Sequence, residues 1–163
     1  MAQIVQSLTL LGINGLPVQV EVDLVRRLPA TIIVGLPGSA IRESTHRVRS
    51  AINAAGESYP KKRVVVNLAP ADLPKVGTSF DLPIAIAILM AEKGTQPQRL
   101  HRTVFVGELS LDGALKPVSG ALSMAIAAAE HGAERIVLPK SSAAEAAVVE
   151  NVQVLSANSL GEV

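Results

Sequence analysis

No cysteine occurs in the 163 residues, which excludes disulfides and thiolate metal sites and fits a reducing compartment. Tryptophan is absent, and the aromatics stop at Tyr59, Phe80 and Phe105, so the core must be built from Val, Ile, Leu and Ala. The same scarcity weighs against a nucleic-acid binder that depends on aromatic stacking platforms. His46, His101 and His131 stand far apart and form no ligand-spaced pair, so no metal site is expected. The longest apolar run, Leu82 to Ala91, falls short of the roughly 20 residues that cross a bilayer and contains Pro83. Nor does the chain open with a basic region followed by an uninterrupted apolar core, the mark of a signal peptide. These exclusions predict a cytoplasmic protein without a membrane partner.

What is present describes a packed globule. Hydrophobic residues make up 48% and charged residues 18%, and the length suits one domain over 1–163. Net charge is +1, but unevenly spread. Residues 1–63 hold eight Lys/Arg against four Asp/Glu, whereas residues 64–163 hold seven against ten. Most of the positive excess lies between Arg42 and Arg63, which hints at an acidic partner on one face.

Alternation of Val18, Val20, Val22 and Leu24 with polar residues marks a half-buried strand. It pairs with Ile4 to Leu11 through residues 12–17, where the Asn14-Gly15 step suits a hairpin turn. Thr31 to Val34 reads as a strand. A helix follows from Ser39, which would cap it, to Ala55, with Ile41, Thr45, Val48 and Ile52 as its buried stripe. Val64 to Leu68 is the next strand. Pro83 is tolerated only in a first turn, so a second helix must start between Ser79 and Leu82; it ends at Gly94. Val104 to Leu109 and Ala114 to Val118 read as a hairpin around Asp112-Gly113. A helix from Gly120 to His131, a strand at 135–138, a helix at 143–149 and a strand at 152–155 complete the chain, with Leu160-Gly-Glu-Val163 reading as the start of a further helix. Hairpins mixed with strand–helix–strand units predict an α+β fold, a mixed α/β sandwich.

Three segments are candidates for chemistry. Gly35-Leu-Pro-Gly-Ser39 precedes a helix but lacks the lysine of a phosphate-binding loop, G-x-x-x-x-G-K-S/T, and reads as a turn. At Lys75, Thr78, Ser79 and Asp81, polar side chains meet the free N–H groups of a helix start. They can act as caps, or hold an anion or a neighbouring subunit. On the first helix, Arg42, His46, Arg49 and Asn53 follow helical spacing along one stripe, with Arg47 beside it and Lys61, Lys62 and Arg63 before the next strand. Such a face can contact DNA phosphates without reading bases.

The Gly77-Thr78-Ser79 corner resembles the serine-bearing turn of the Lon-type peptidase domain, and Gly107-Glu-Leu-Ser-Leu-Asp-Gly113 through Gly120 is similar to the hairpin and glycine turn that follow it. In that family a lysine takes the proton of the serine. Two residues past Gly120, where that base belongs, stands Leu122, and a serine without a base is a poor nucleophile. No catalytic residue is therefore expected, and a serine peptidase using Ser79 is a rival reading. A stand-alone nucleic-acid-binding module is another.

A wider set of segments points to one family: Val20-Glu-Val-Asp-Leu-Val-Arg-Arg-Leu-Pro29, Ile33-Val-Gly-Leu-Pro37, Arg42-Glu-Ser-Thr-His-Arg-Val-Arg-Ser-Ala-Ile52, Asn67-Leu-Ala-Pro-Ala-Asp-Leu-Pro-Lys75 and Gly77-Thr-Ser-Phe-Asp-Leu-Pro83. Over nearly the whole chain it resembles the N-terminal domain of the ComM/YifB family of magnesium-chelatase-like AAA+ ATPases. The resemblance implies a ribosomal protein S5 domain 2-like, Lon-protease-domain-like fold. It implies a following AAA+ module that would hold ATP and Mg, with no cofactor in this domain. It further implies a homo-hexameric DNA helicase promoting branch migration in natural transformation, to which this domain would contribute assembly or DNA positioning.

Overall fold

A computed structural model describes residues 2–163. Among the described residues, nine strands and four α-helices follow in the order β1 (Gln3–Leu11), β2 (Asn14–Val25), β3 (Ala30–Val34), α1 (Ser39–Ala54), β4 (Arg63–Ala69), α2 (Asp81–Lys93), β5 (Thr103–Phe105), β6 (Glu108–Leu109), β7 (Leu115–Lys116), α3 (Ala121–Glu130), β8 (Arg135–Pro139), α4 (Lys140–Ala146) and β9 (Gln153–Ala157), with short 3-10 helices at Gln98–Arg102 and Leu160–Glu162. Seven strands form one sheet in the order β3-β4-β2-β1-β5-β8-β9, and β6 with β7 forms a small antiparallel ribbon. Antiparallel pairs β1–β2 and β2–β4 sit inside an otherwise parallel sheet. This is the expected mixed α/β architecture.

The pleat sorts the side chains onto two faces. Val5, Val18, Val20, Val22, Val64, Val66 and Leu68 share one core with Ile41, Val48 and Ile52 of α1 and with α2. Leu8, Val104, Ile136 and Leu138 point the other way and join Met124, Ala125 and Ala128 of α3. α2 is apolar nearly all round because it lies between α1 and the sheet, contacting β1 and β2. Its bounds obey Pro83, the third residue, and it ends at Gly94 with φ of 65°.

Four expectations need correction. The β1–β2 turn is Gly12-Ile13, with Leu11 paired to Asn14; Asn14 and Gly15 belong to β2. Gly15 is needed as a contact, since a Cβ there would sit 2.3 Å from Cβ of Ala127 on α3. Residues 104–109 are two strands because Gly107 diverts the chain: its N–H donates to Ser79 O at 2.9 Å and its carbonyl accepts from Leu82 N at 3.0 Å. α4 starts three residues early, directly after Pro139, with Ser142 Oγ accepting from Val118 N. Finally, Thr45 is only half-buried, and Ser44 and Ala51 complete the buried stripe of α1.

Candidate functional site

The helix-start corner is built from α2, the loop before it and the β6–β7 ribbon. A cavity of about 290 Å³ opens there, lined by Thr9, Val76, Thr78, Ser79, Glu108, Ser119 and Met124 among others. Thr78 Oγ1 donates to Glu108 Oε2 at 2.7 Å. Ser79 faces the cavity, whose lining includes neither lysine nor histidine. Leu122, second residue of α3, is not part of the wall; its N–H donates to Glu145 Oε1 at 3.3 Å. Lys116 lies in register with Glu108 across the ribbon and is also absent from the wall. A hydroxyl-rich pocket with one carboxylate can bind polar groups, but it supplies no amine or imidazole to activate Ser79.

Capping does not explain this corner. No side chain caps either long helix: Gly38 and Phe80 occupy the N-cap positions without side-chain bonds. Backbone carbonyls take over, with Asp81 N donating to Thr78 O and Leu82 N to Gly107 O. Ser39, Thr78, Ser79 and Asp81 are therefore not caps.

Asp81 has a different partner. Arg47, on α1, donates from Nε to Oδ2 at 2.7 Å and from Nη2 to Oδ1 at 3.0 Å, while Leu109 N donates to Oδ2 at 3.0 Å. Arg47 Nη2 also reaches Ala40 O at 2.8 Å. The Asp81 side chain is 1% exposed and Arg47 19%. The hydrogen bond from Arg47 to Asp81 raises the guanidinium above its ordinary value, and burial pushes the Asp81 carboxyl up against the pull of Arg47 and Leu109. This pair ties α1, α2 and β6 together.

Lys75 is also internal. It is fully buried, and its ammonium donates to Leu68 O and Gly35 O, each at 2.7 Å, and to Pro70 O. Burial pulls its pKa down. An ammonium has three protons to donate, and three carbonyls receive them here. Sequence reasoning offered Lys75 and Asp81 as part of a cap-and-turn corner or of an anion or subunit contact, and Arg47 as part of a DNA face. All three are instead engaged inside the fold.

The remaining basic residues divide. Arg42, His46, Arg49 and Asn53 do form an exposed stripe on α1. Lys62 lies 3.7 Å from Glu92, and Arg63 is half-buried in β4, its Nε without an acceptor. Arg49 and Lys61 line a second cavity of about 310 Å³ with Pro29 and Tyr59. Arg26 and Arg27, exposed in the β2–β3 connection, escaped the sequence reading because they follow no helical stripe. Two adjacent arginines ahead of Leu28-Pro29 were the available signal.

Comparison with known proteins assigns the lineage. A family model described as subunit ChlI of Mg-chelatase matches residues 20–142. YifB of Escherichia coli strain K12 is 43% identical over 157 residues, covering 96% of this chain and 31% of YifB. Competence protein ComM of Haemophilus influenzae is 42% identical over 160 residues, covering 98% of this chain and 31% of ComM. A Lon protease of Lachnoclostridium phytofermentans is 25% identical over 173 residues, covering 98% of this chain and 21% of that protein. The chain thus spans about a third of the length of YifB and ComM. With the model matched across its central strands and helices and two such relatives matched almost end to end, the chain belongs to the Mg-chelatase subunit ChlI family, alongside YifB and ComM.

Proposed function

We propose that this chain is the N-terminal domain of a ComM/YifB-like AAA+ ATPase that acts on DNA in the cytoplasm, and that it positions DNA without catalysing a reaction itself. The observation that carries the reading is the match of nearly the whole chain to about a third of ComM, a competence protein, combined with a surface rich in unpaired cations. ATP and Mg belong to the separate AAA+ module, and assembly into a homo-hexamer, the helicase activity and a role in branch migration belong to the full-length protein. Contact between this domain and DNA runs through phosphates, which need only cations and give sequence-independent binding.

In the full-length protein, deleting residues 1–163 should leave basal ATP hydrolysis in place and remove most of its stimulation by DNA. Unchanged stimulation would remove the DNA-positioning role. The similarity to Lon proteases supports a second reading, hydrolysis at Ser79. Its test is a fluorophosphonate probe: labelling of Ser79, lost in Ser79→Ala, would establish that reading and displace the non-catalytic one.

A further inference from the structure

The second cavity gathers three chain segments: Pro29 from the β2–β3 connection, Arg49 and Asn53 from α1, and Tyr59 with Lys61 from the α1–β4 connection. The Arg49 guanidinium lies 4.6 Å from the centroid of the Tyr59 ring. Tyr59 is itself fixed, its hydroxyl 2.7 Å from Thr31 Oγ1 on β3. A guanidinium held over an aromatic face keeps its charge and loses less rotamer freedom when it engages a ligand. It also presents its outer face and N–H edges to whatever enters.

Further cations lie nearby, Lys61 in the cavity wall and Arg26 and Arg27 in the connection that also carries Pro29. Val25 and Ala30 are both in register with Arg63, so the connection carrying Arg26 and Arg27 turns beside the start of β4, next to Lys61. Two acidic groups of this region are engaged, Glu57 with Lys93 at 2.7 Å and Glu92 with Lys62 at 3.7 Å, while Asp23 lies exposed on β2. Among the described residues, no carboxylate lies within ion-pair distance of Arg26, Arg27, Arg49 or Lys61.

We infer that this cavity binds single-stranded nucleic acid, with Arg26, Arg27 and Lys61 holding successive phosphates and one base stacking on the outer face of Arg49. The inference rests on the DNA reading above and extends its contact from Arg49 on the α1 stripe to the end of the sheet. A concave site admits a flexible strand, and an unpaired base has a free face for a guanidinium plane; in a duplex those faces are occupied by neighbouring bases. Any base can stack, so no sequence preference follows. Tyr59 is a positioning residue, acting through Arg49.

The test is fluorescence anisotropy of the 163-residue chain with a labelled oligothymidine and with a mixed-sequence duplex of the same length, over a range of salt. The single strand should bind at least tenfold tighter. Arg26→Ala/Arg27→Ala should weaken it at least tenfold and lower the log–log salt slope by about 1.4, since each phosphate contact on a single strand contributes about 0.7. Arg49→Lys keeps the charge but loses the plane, and should reduce the single-strand preference while leaving duplex binding in place. Tyr59→Phe should retain binding and Tyr59→Leu should behave like Arg49→Lys. Lys140→Ala, on the exposed start of α4, should bind as wild type, and circular dichroism melts confirm that each variant is folded. Wild-type binding in the Arg26/Arg27 and Arg49 variants would overturn this site while leaving the DNA reading intact. Equal affinity for both DNA forms would overturn the strand preference. No binding of either form by the wild-type chain would overturn both.

Discussion

Two buried ionic clusters govern this domain at the level of single residues. Asp81 is inaccessible and bidentate to Arg47, so removing either partner strands the other away from water. Arg47→Ala should destabilise the fold by about 3–5 kcal/mol, the cost of breaking a buried pair. Urea denaturation measures it, and a loss under about 1 kcal/mol would show that the pair behaves as an exposed one. The same variant separates structure from binding: at temperatures where it is folded, its DNA affinity should match wild type. Lys75→Met should also be costly, because it takes this donor from the buried carbonyl of Leu68, at about 1–3 kcal/mol, and from the partly buried carbonyls of Gly35 and Pro70. Ser79→Ala, by contrast, removes a hydroxyl from a cavity wall and should shift stability by no more than about 0.5 kcal/mol. None of these roles was legible from local spacing. Arg47 and Asp81 are 34 positions apart, and on a helical wheel Arg47 sits beside the exposed stripe. Their pairing exists only once α1 packs on α2.

Elements were more legible than residues. Alternation in β2, the apolar stripe of α1 and the proline that pins the start of α2 each encode a local rule, and the structure follows them. The misses fall where tertiary contact overrides local preference. Asn14-Gly15 has the chemistry of a hairpin turn, but Gly15 is used to bring β2 against Ala127 of α3, and the turn moves to Gly12, which adopts a φ of 66°. Gly15→Val should therefore push α3 away and cost about 1–3 kcal/mol by overpacking. A thermal melt indistinguishable from wild type would mean that the contact is slack. Gly107 acts similarly, linking the start of α2 to the β6–β7 ribbon through two backbone hydrogen bonds and thereby shaping the Ser79 cavity.

Across the whole molecule, unpaired cations gather at one edge of the sheet. β3 and β4 lie at that edge with Arg26, Arg27, Arg49 and Lys61 close by, whereas beside β8 at the other side Glu134 is paired with Arg102 and Arg135. The net charge of +1 does not show this distribution. Unpaired cations grouped in this way favour approach of a polyanion to the β3 edge. The asymmetry between residues 1–63 and 64–163 was visible in the sequence; which cations remain free was not, since Arg47 and Lys62 look as available as Arg49 until their partners Asp81 and Glu92 are in place. No helix among the described residues is long and apolar enough to cross a membrane.

The central claim is that this domain meets DNA through its phosphates, and the most direct measurement is the affinity of the isolated chain for DNA as a function of salt. The account predicts a linear fall of log affinity with log salt, with a slope of about −2 or steeper on single strands, for three phosphate contacts at about 0.7 each. Affinity that is absent at about 50 mM salt, or flat between about 50 and 200 mM, would contradict it.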